Sequence, residues 1–593
     1  MPDMQKAVSR LNQALGEKEK ILIYGDYDVD GTTAVSLVYK YLRAYTSNLY
    51  YYIPDRYDEG SGISIKGIDY AHSIGVTLII SLDCGIKAID KIEYAKEKGI
   101  DFIICDHHMP DETLPDAVAV LDAKREDSIY PYEHLSGCGV GFKFMQAFAI
   151  SNKRPFSELE KLLEFTAVSI ASDIVPITGE NRILAYYGLR QINSNPSLGL
   201  KGIIDVCGLS GKEITISDIV FKIGPRINAS GRMMKGEEAV ELLLAKDSAV
   251  ARKMSENINQ YNEERRELDK KITDEANAII NEFNDIDHQK AVIVYNPKWH
   301  KGIIGIVASR LTEKYYRPAV VLTKSADLIT GSARSVTGFD IYKAIEGCRD
   351  LLESFGGHTY AVGFSLKEEN LEAFKQRFFQ LAAEHIIPEQ MIPQLDIDAI
   401  LDLKEITPKF LSDLKKMSPF GPNNQKPIFC TYGVQDYGTS KLVGRDQEHI
   451  KLEIIDSKSA SVPIHGIAFG MSQYNAHIKL MKPFNICYTI EESIYNGNAL
   501  SRLGRNYVEM GNYIERVFPF LNVRFIAVTD DFDSFRPGAD LMMPLKNIVN
   551  EFYAKDIHQL PSSTPLSDTF KQSPYFLTLF ITSALLKFPI FPL

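Results

Sequence analysis

Aspartate and histidine residues in this chain recur directly after short apolar runs. The stretch "ILIYGDYDVDG" (21–31) places Asp26, Asp28 and Asp30 at every second position behind strand-forming residues. Side chains two apart in an extended segment point the same way, so the three carboxylates can converge on one point. Crowded carboxylates repel one another unless a cation lies among them. The stretch therefore indicates a metal site, although an Asp-rich turn would have the same residues.

The same pattern returns further along the chain. "TLIISLDCG" contains Asp83, "DFIICDHH" contains Asp106, His107 and His108, and Asp173 follows the apolar run "FTAVSI". Ligands of parallel α/β sheets bind at the carboxyl ends of the strands. We therefore expect each group to follow a strand and all of them to meet at one edge. A single aspartate of this kind is more often a helix cap, but four at equivalent positions favour a shared site.

The donor types indicate the metal. A set dominated by carboxylates, with one or two imidazoles, suits Mg²⁺ or Mn²⁺, whereas zinc sites contain more nitrogen or sulfur. Seven cysteines without a C-x-x-C pair provide neither a zinc site nor a disulfide framework. Two ions bridged by a carboxylate suit phosphodiester cleavage, because they activate water and offset charge on the leaving oxygen.

Composition limits the possible partners. A length of 593 residues predicts three or four domains, and a net charge of -11 confines nucleic-acid contacts to a local groove. The N-terminus has no apolar signal-like region, and the apolar stretch 575–586 is too short to span a bilayer. Together with the unpaired cysteines, these features predict a cytoplasmic protein that does not contact membranes.

The apolar runs predict the fold class. "ILIY", "LYYYI", "VTLIISL" and "DFIIC" alternate with amphipathic helical stretches up to about residue 190, which predicts a parallel-sheet α/β domain. A charged stretch from about 239 to 285 predicts a long solvated helix that connects to a second α/β domain. Short strands with turn residues follow and predict an all-β, OB-like module.

The motifs "GDYDVDG", "DCG", "CDHH" and "ASDIVP", in this order, resemble those of the DHH phosphoesterases. More narrowly, the chain resembles the RecJ family of single-strand-specific 5′-to-3′ DNA exonucleases from about Met4 to Asn498. That narrower resemblance rests on "IPDRYDEG", "GCGVGFK", "FKIGPRINASGRM", "WHKGIIGIVASRL", "SARS", "FGGH" and "PFGPNNQKPIF". It implies a Mn²⁺- or Mg²⁺-dependent nuclease, with two ions, that acts in DNA recombination and repair.

The resemblance also implies the roles of single residues. The expected metal ligands are Asp28, Asp30, Asp83, His107 and Asp173, with Asp26 as a further metal-binding candidate and His108 close by. Asp106 would orient a histidine by a hydrogen bond without binding the metal itself. We count Asp106 and His108 among the catalytic candidates. The expected substrate-binding residues are Arg56, Arg226, Asn228, Arg232, His300, Ser332, Arg334, Gly356, Gly357 and His358.

Several of these substrate candidates also have an ordinary interpretation. Arg56 would otherwise be a surface arginine and His358 a loop histidine, although the two preceding glycines favour a phosphate contact. Lys301 lies where a helix begins, which is a place where backbone N–H groups bind anions. Trp299 either packs in a core or stacks on a base. The glycines of "GCGVG" lack the spacing of a dinucleotide-binding motif and indicate a helix packed against the sheet.

The chain departs from the family pattern in three places. Only about twenty residues precede the first motif, so we expect the usual lead-in helices to be missing. Ser61 occupies the position of a family tyrosine in "EGSG", which would either widen the entrance for the DNA strand or weaken the hold on that strand. Part of the C-terminal region resembles a serine recombinase catalytic domain, with Arg502 and Arg505 matching its phosphate-binding arginines. Because the nucleophilic serine of that family is absent, we expect no recombinase activity.

The predicted domain boundaries follow these motifs. They are 1–190 for a DHH catalytic metal-binding domain, 191–286 for a helical connector, 287–388 for a DHH-associated substrate-binding domain, 389–500 for an OB-like nucleic-acid-binding domain, 501–557 for the partial recombinase-like segment and 558–593 for an unassigned tail.

The predicted substrate is single-stranded DNA. The resemblance implies a RecQ-type helicase and a single-strand-binding protein as partners, and we expect a monomer. Two alternatives are a phosphoesterase for short oligonucleotides or cyclic dinucleotides and an inactive nucleic-acid-binding relative. The long insert 179–281 and the OB-like module favour a polymeric substrate, and the filled ligand positions favour an active enzyme.

Overall fold

The first apolar runs form a five-stranded sheet. The strands are β1 Ile21–Gly25, β2 Leu49–Tyr52, β3 Leu78–Leu82, β4 Asp101–Cys105 and β5 Ala119–Leu121. All pair in parallel in the order β2-β1-β3-β4-β5. The computed structural model describes residues 1–282, 289–391, 395–444, 446–457 and 463–493, with three short strands beyond them.

Thirteen helices surround or extend this sheet within residues 1–282. They are α1 Met4–Gly16, α2 Val29–Leu42, α3 Ile65–Ser73, α4 Ile89–Glu97, α5 Gly137–Ser151, α6 Ser157–Glu160, α7 Leu163–Ser172, α8 Gly179–Ser194, α9 Leu198–Val206, α10 Ile216–Asp218, α11 Gly224–Met233, α12 Glu237–Leu243 and α13 Ser248–Glu282. A π-helical turn, Ile219–Ile223, joins α10 to α11.

Both faces of the first sheet are buried. Alternate residues of β1 point to opposite faces, so Ile21 and Ile23 pack in one core with α2, α5 and α7, whereas Leu22 and Tyr24 pack in another with α3 and α4. This arrangement explains why the strands are apolar throughout. The α/β fold predicted for this region is confirmed.

Two predicted elements differ from the structure. The run "FTAVSI" before Asp173 belongs to α7 rather than to a strand, because its apolar residues are buried on all sides of a helix. The long helix predicted from about 239 to 285 is divided into α12 and α13. β5 and α1 were not predicted; β5 is only three residues long.

A second, mixed sheet follows the long helix. It contains β6 Val292–Tyr295, β7 Ala319–Ser325, β8 Leu328–Arg334, β9 Ser354–His358 and β10 Ala361–Leu366, with α14 Ile304–Tyr315, α15 Ile341–Glu346 and α16 Leu371–His385. β6 and β7 are parallel, and the remaining pairs are antiparallel in the order β6-β7-β8-β10-β9. The segment 356–358, which was expected in a loop, lies on the edge strand β9.

Helix α13 belongs to the cores of both sheets. It is 35 residues long, which corresponds to about 52 Å. Its residues Ala251 and Ile258 pack with the helices of the first sheet. Ile272, Ala276 and Ile280 pack with β6, β7 and α14. The two sheets belong to one compact unit, Met1–Ile392 with Pro419–Asn424.

The second compact unit comprises Pro393–Ser418 and Gln425–Leu593 and is rich in strands. Its elements are β11 Ala399–Ile400, α17 Pro408–Lys416, β12 Phe429–Asp436, β13 Lys441–Val443, β14 His449–Asp456, β15 Ile464–Ala468, α18 Asn475–Lys479, β16 Phe484–Ser493, β17 Ile526–Ala527, β18 Phe532–Asp533 and β19 Phe576–Ile581. The main sheet has the order β11-β12-β16-β19-β15-β14-β13, and an additional pairing of β12 with β14 closes it. This strand-rich module is the OB-like module that the sequence predicted.

Several predictions fall on the far C-terminal region. Apart from β17 and β18, the recombinase-like segment lies outside the described residues, as do Arg502 and Arg505. All seven cysteines are free thiols, and six of them are buried. Within the part of the chain that the structure describes, no helix combines the length and the apolar character needed to cross a bilayer.

Candidate active site

The register of the first sheet gathers acidic residues at one edge. The last residues of β1, β3 and β4 are neighbours in the sheet. The residues that follow them are Asp26, Asp83 and Asp106, respectively. Asp122 follows β5 in the same way, and sequence reasoning missed it because β5 is so short. Parallel pairing thus brings together side chains that are far apart in the sequence.

His107 lies at the centre of the acidic cluster. Its Nε2 atom is 3.1 Å from an Asp83 oxygen, 3.6 Å from an Asp173 oxygen and 3.7 Å from an Asp30 oxygen. The ligand atoms of Asp30, His107 and Asp173 lie within 4.8 Å of one another, and those of Asp83, His107 and His108 do so as well. Donors at these separations surround a space in which cations can bind.

Helix α5 holds Asp30 in the cluster. The carboxylate accepts hydrogen bonds from the backbone N–H groups of Gly137 and Cys138 and from the Ser169 hydroxyl, each at 2.7 Å. A helix N-terminus favours a negative charge because its N–H groups are otherwise unpaired. A side chain at Gly137 would place its Cβ within 2.8 Å of Asp83 atoms. The "GCGVG" motif therefore supports the acidic cluster, a role that sequence reasoning missed.

Asp26 and Asp28 lie in the turn between β1 and α2. Asp28 Oδ1 accepts a hydrogen bond from the backbone N–H of Gly31 at 3.0 Å and caps α2. Asp26 Oδ1 accepts one from the backbone N–H of Gly62 at 3.2 Å. Each of these hydrogen bonds uses only one oxygen of a carboxylate. Asp26 and Asp28 can therefore stabilise the turn and also bind a metal ion.

Asp173 approaches the cluster from the end of a helix rather than from a strand. It is the residue after α7, and the following Ile174 has a φ of 59°. Asp83 also has a positive φ, of 59°. Left-handed backbone is unfavourable for residues with a side chain, and it is kept where the surroundings impose it, commonly at functional sites.

Burial and mutual repulsion disfavour the ionised carboxylates. Burial, followed by the charge of Asp28, raises the pKa of Asp26 to about 7 and that of Asp30 to about 6. Burial and the Asp30 charge raise the pKa values of Asp83 and Asp173 well above the ordinary range. Divalent cations among these groups would offset the repulsion and favour ionisation.

Asp106 contacts the histidines rather than the other carboxylates. Its oxygens accept hydrogen bonds from the backbone N–H groups of Ile86, His107 and His108 at 2.7 to 3.2 Å, and His108 Nδ1 lies 2.8 Å from Oδ1. Burial alone would raise the pKa of Asp106, but the bond from His108 lowers it below its usual value. This is the position expected for a residue that orients histidines.

The two histidines differ in protonation. Burial, and then the neighbouring charge of His108, lower the pKa of His107 to about 3, so its imidazole is neutral and can bind a metal. Burial would also lower the pKa of His108, but the hydrogen bond to Asp106 raises it to about 9. His108 is therefore a cation at neutral pH, and 42% of its side chain is exposed.

A second cluster, the cationic cluster, consists of Arg56, Arg232, Lys301 and Arg334. The Arg56 guanidinium lies 4.9 Å from the centre of the Tyr27 ring. Arg232 donates a hydrogen bond from Nη1 to the Gly302 carbonyl at 2.9 Å. Burial, and then the Arg56 charge, lower the pKa of Arg232 to about 9. Half-buried cations that repel one another are favourable places for an anion.

Ser332 and Arg334 lie together on β8. The Arg334 Nη1 donates to the Ser332 hydroxyl at 3.1 Å. A Cβ built on Gly305, in the first turn of α14, would lie 3.0 Å from the Ser332 Oγ and 3.2 Å from the Arg334 Nη2. Both side chains therefore lie next to the N-terminus of α14, and burial lowers the pKa of Arg334. Guanidinium, hydroxyl and helix N-terminus together suit a phosphate group.

His358 links the second sheet to the acidic cluster. Its ring stacks on that of His108 with centroids 6.1 Å apart and an angle of 12° between the planes. Gly356 and Gly357 precede it on the edge strand β9, and a Cβ built on Gly356 would meet no atom within 4 Å. Gly356 therefore leaves backbone that a substrate can approach, whereas Gly357 is required by packing, because a Cβ there would overlap the Ala361 carbonyl oxygen.

The structure separates other candidates from these clusters. Arg226 is only 8% exposed and donates to the Asn259 side chain and to the Lys222 carbonyl. It therefore packs against α13. Asn228 is half-buried on the same helix, α11. Trp299 is buried and donates from Nε1 to Glu275 at 2.7 Å, so the structure favours core packing for this residue.

Comparison with known proteins identifies the family. Residues 20–170 match the DHH family, N-terminal domain, residues 288–384 the DHHA1 domain and residues 397–503 the RecJ OB domain. The single-stranded-DNA-specific exonuclease RecJ of Haemophilus influenzae is 30% identical over 527 residues, which cover 85% of this chain and 90% of that protein. The chain belongs to the RecJ family.

Other RecJ proteins differ from this chain in length. The RecJ of Bacillus subtilis is 36% identical over 461 residues, but this chain spans only 58% of its length. The crystal structure of RecJ from Thermus thermophilus in complex with Mn²⁺ has a TM-score of 0.69 and 25% identity, covering 83% of this chain and 69% of that one. A structure of exonuclease RecJ bound to manganese has a TM-score of 0.56 and 29% identity, covering 66% and 96%.

Proposed function

We propose that this RecJ-family chain is a divalent-metal-dependent exonuclease that hydrolyses single-stranded DNA from its 5′ end. One observation carries the proposal: a neutral His107 lies 3.1 to 3.7 Å from the buried carboxylates of Asp30 and Asp83 and the partly exposed carboxylate of Asp173, at the edge where the strands of a parallel sheet end. The fold and family of the chain, and the DNA substrate named for its relatives, support the same conclusion.

The side chains of the acidic cluster suit Mn²⁺ or Mg²⁺. Carboxylate oxygens with one imidazole nitrogen suit these cations, and burial and the Asp28 charge, which raise the pKa values of Asp26 and Asp30, would be offset by a bound divalent ion. Two bound ions would supply an activated water and offset negative charge on the phosphodiester. The proposed metal-binding residues are Asp26, Asp28, Asp30, Asp83, His107 and Asp173.

The remaining residues of the site would bind and orient the DNA. Asp106 holds the ring of His108, and the exposed, protonated His108 would attract a phosphate oxygen. Arg56 and Arg232 would bind phosphates near the acidic cluster. Ser332 and Arg334 would bind the terminal phosphate, with His300, Gly356, Gly357 and His358 lining its approach. We retain Arg226 and Asn228 as weaker candidates because the contacts of Arg226 are internal.

Exonuclease action follows from two clusters in one compact unit. A phosphate held by the cationic cluster places the next phosphodiester at a fixed position relative to the acidic cluster. The OB-like module would bind single-stranded DNA by electrostatic attraction and base stacking. We further propose the sequence-based domain boundaries, a cytoplasmic monomer that acts in recombination and repair, and cooperation with a RecQ-type helicase and a single-strand-binding protein.

A polarity assay tests this function. The full chain, freed of metal with EDTA and supplied with Mn²⁺, should release mononucleotides from the 5′ end of a 5′-phosphorylated single strand and leave the matched duplex largely intact. Release from the 3′ end would contradict the proposed polarity. Faster turnover of a dinucleotide than of the long strand would instead favour a small-substrate phosphoesterase.

A further inference from the structure

One side chain of the first α/β region contacts the cationic cluster at several points. The Tyr57 hydroxyl donates a hydrogen bond to the Arg232 carbonyl. The Lys301 ammonium lies 4.5 Å from the centre of the Tyr57 ring, and the His300 ring meets it edge-on at 6.1 Å. Tyr57 therefore touches the end of α11 and the turn before α14 at the same time. From the motif "IPDRYDEG", the sequence predicted a substrate-binding role for Arg56 but none for the neighbouring Tyr57.

The loop that carries Tyr57 is braced by its own acidic residues. Asp55 Oδ1 accepts hydrogen bonds from the backbone N–H groups of Tyr57 at 2.7 Å and Asp58 at 3.0 Å. Glu59 accepts from the backbone N–H of Asp55 at 2.9 Å and from the Ser64 hydroxyl at 2.5 Å. Because Ser64 caps α3, these bonds fix the backbone at Tyr57 relative to the first sheet.

The turn before α14 packs closely against Tyr57. A Cβ built on Gly302 would lie 2.6 Å from the Tyr57 hydroxyl oxygen, so a side chain at position 302 would displace the tyrosine. The Gly302 carbonyl accepts the hydrogen bond from Arg232. Arg232, Gly302 and Tyr57 thus form a closed set of contacts between α11, the turn before α14 and the braced loop.

We propose that Tyr57 is a positioning residue that fixes Arg232 and Lys301 at a set distance from the acidic cluster. Like charges that repel one another need a scaffold that keeps them together, and the Tyr57 ring and hydroxyl provide one. DNA phosphates then meet both cations in a prearranged geometry, which lowers the entropic cost of binding. The proposal rests on the proposed function, since it assigns Tyr57 to binding of the same substrate.

Two substitutions separate the roles of the hydroxyl and the ring. Tyr57→Phe removes the hydrogen bond to Arg232 and keeps the ring. We expect KM for a 5′-phosphorylated single strand to rise about fivefold, with kcat within twofold of the unmodified chain. Tyr57→Leu also removes the surface under Lys301. KM should rise further, and the slope of log KM against log salt should fall by about 0.7, the value for one lost phosphate contact.

Tyr94 provides a matched control. Its hydroxyl donates to the Asp69 carboxylate at 2.9 Å and its ring lies 4.7 Å from the Lys98 ammonium, so Tyr94→Phe likewise removes one tyrosine hydroxyl bond and keeps a ring beside a lysine, here on α4. We expect this variant to keep the KM and the salt slope of the unmodified chain. Thermal melting of all three variants, together with Mn²⁺ affinity, separates a local effect from unfolding.

The outcomes are distinct. An unchanged KM and salt slope in Tyr57→Phe and Tyr57→Leu would overturn the proposal, as would an equal rise of KM in Tyr94→Phe or a fall of kcat alone. If Tyr57→Leu does not fold, Tyr57→Phe decides. An unmodified chain without nuclease activity would overturn the proposed function instead. The affinity for a fluorescent oligonucleotide, measured by anisotropy, would then decide the role of Tyr57.

Discussion

The acidic and cationic clusters lie in one compact unit but are built in opposite ways. The acidic cluster is assembled by strand register, and backbone N–H groups at the start of α5 partly compensate its charge. The cationic cluster is assembled by loops, the end of α11 and the end of β8, and aromatic rings support Arg56 and Lys301. In the first cluster the carboxylates accept hydrogen bonds mainly from backbone N–H groups, whereas in the second the cations lie against aromatic rings and donate to a backbone carbonyl.

This difference affects how each cluster tolerates change. Strand register cannot shift by a fraction of a residue, so the positions of the carboxylates are fixed by the core of the sheet. The positions of the cations depend on a few side-chain contacts and can therefore shift when one of these contacts is changed. We infer that substitutions in the acidic cluster act on the chemical step, and that those in the cationic cluster act on DNA binding.

The largest effect is expected from Asp83→Asn. The substitution removes one negative charge beside His107 and should lower kcat/KM on the order of 10³-fold or more. It also removes a carboxyl group whose ionised form is disfavoured by burial and then by the charge of Asp30, so the melting temperature in EDTA should rise rather than fall. Nuclease assays and thermal melting measure both effects. Asp122→Asn is a control at the same sheet edge, for which a loss of less than about tenfold is expected. Full activity of Asp83→Asn would refute the assignment of the site.

Asp106→Asn should have an intermediate effect. The amide retains an oxygen that can accept a backbone bond, but it loses the charge that fixes the His108 cation. Metal affinity and activity should each fall about 10–100-fold, the usual cost of losing a residue that orients metal ligands. The affinity is measured by Mn²⁺ titration, and the pKa of His108 by NMR. If that pKa stays near 9 in the variant, the role given to Asp106 is wrong.

Substitution in the cationic cluster should change binding rather than chemistry. Arg334→Gln removes a charged donor beside α14 and should raise KM about 10–30-fold, with kcat nearly unchanged. Arg226→Gln is the matched variant, because Arg226 contacts α13 instead. It should lower the melting temperature, and it should raise KM less than Arg334→Gln does. Steady-state kinetics on a 5′-phosphorylated strand provides KM and kcat, and thermal melting provides the stability of each variant. A larger rise of KM in Arg226→Gln than in Arg334→Gln would show that Arg226, not Arg334, binds the DNA.

Sequence reasoning anticipated the acidic cluster better than the cationic one. Apolar runs followed by Asp26, Asp83 and Asp106 reveal strand ends, and parallel pairing then determines which side chains meet. Asp173 was assigned to the correct cluster on the wrong assumption that it follows a strand. Helix α7 is as apolar as a buried strand, so the spacing of apolar residues cannot distinguish the two.

The cationic cluster depends on contacts that no local pattern encodes. Arg226 and Arg232 belong to the same motif, yet one faces α13 and the other reaches Gly302. Their six-residue separation on a helix that follows a π-helical turn gives no signal of this difference. Tyr57 and the α5 N-terminus were missed for the same reason, because their partners are distant in sequence.

The smallest expected effect is the pH dependence of stability without metal. The folded-state pKa values of Asp26, about 7, and Asp30, about 6, exceed those of the same groups in an unfolded chain. The folded protein therefore binds more protons at these carboxylates, and stability increases as pH falls from 8 to about 6.5; at lower pH His107, whose pKa burial lowers to about 3, opposes this trend. In EDTA, the melting temperature should rise by roughly 2 °C or more between pH 8 and pH 6.

Saturating Mn²⁺ should reduce or reverse this trend, because cations favour the ionised carboxylates and are displaced by protons. The Asp83→Asn variant in EDTA should show a weaker pH dependence than the unmodified chain, since one of the repelling charges is gone. Differential scanning calorimetry at matched ionic strength measures these changes. A metal-free protein that loses stability between pH 8 and pH 6 would contradict the raised pKa values of Asp26 and Asp30.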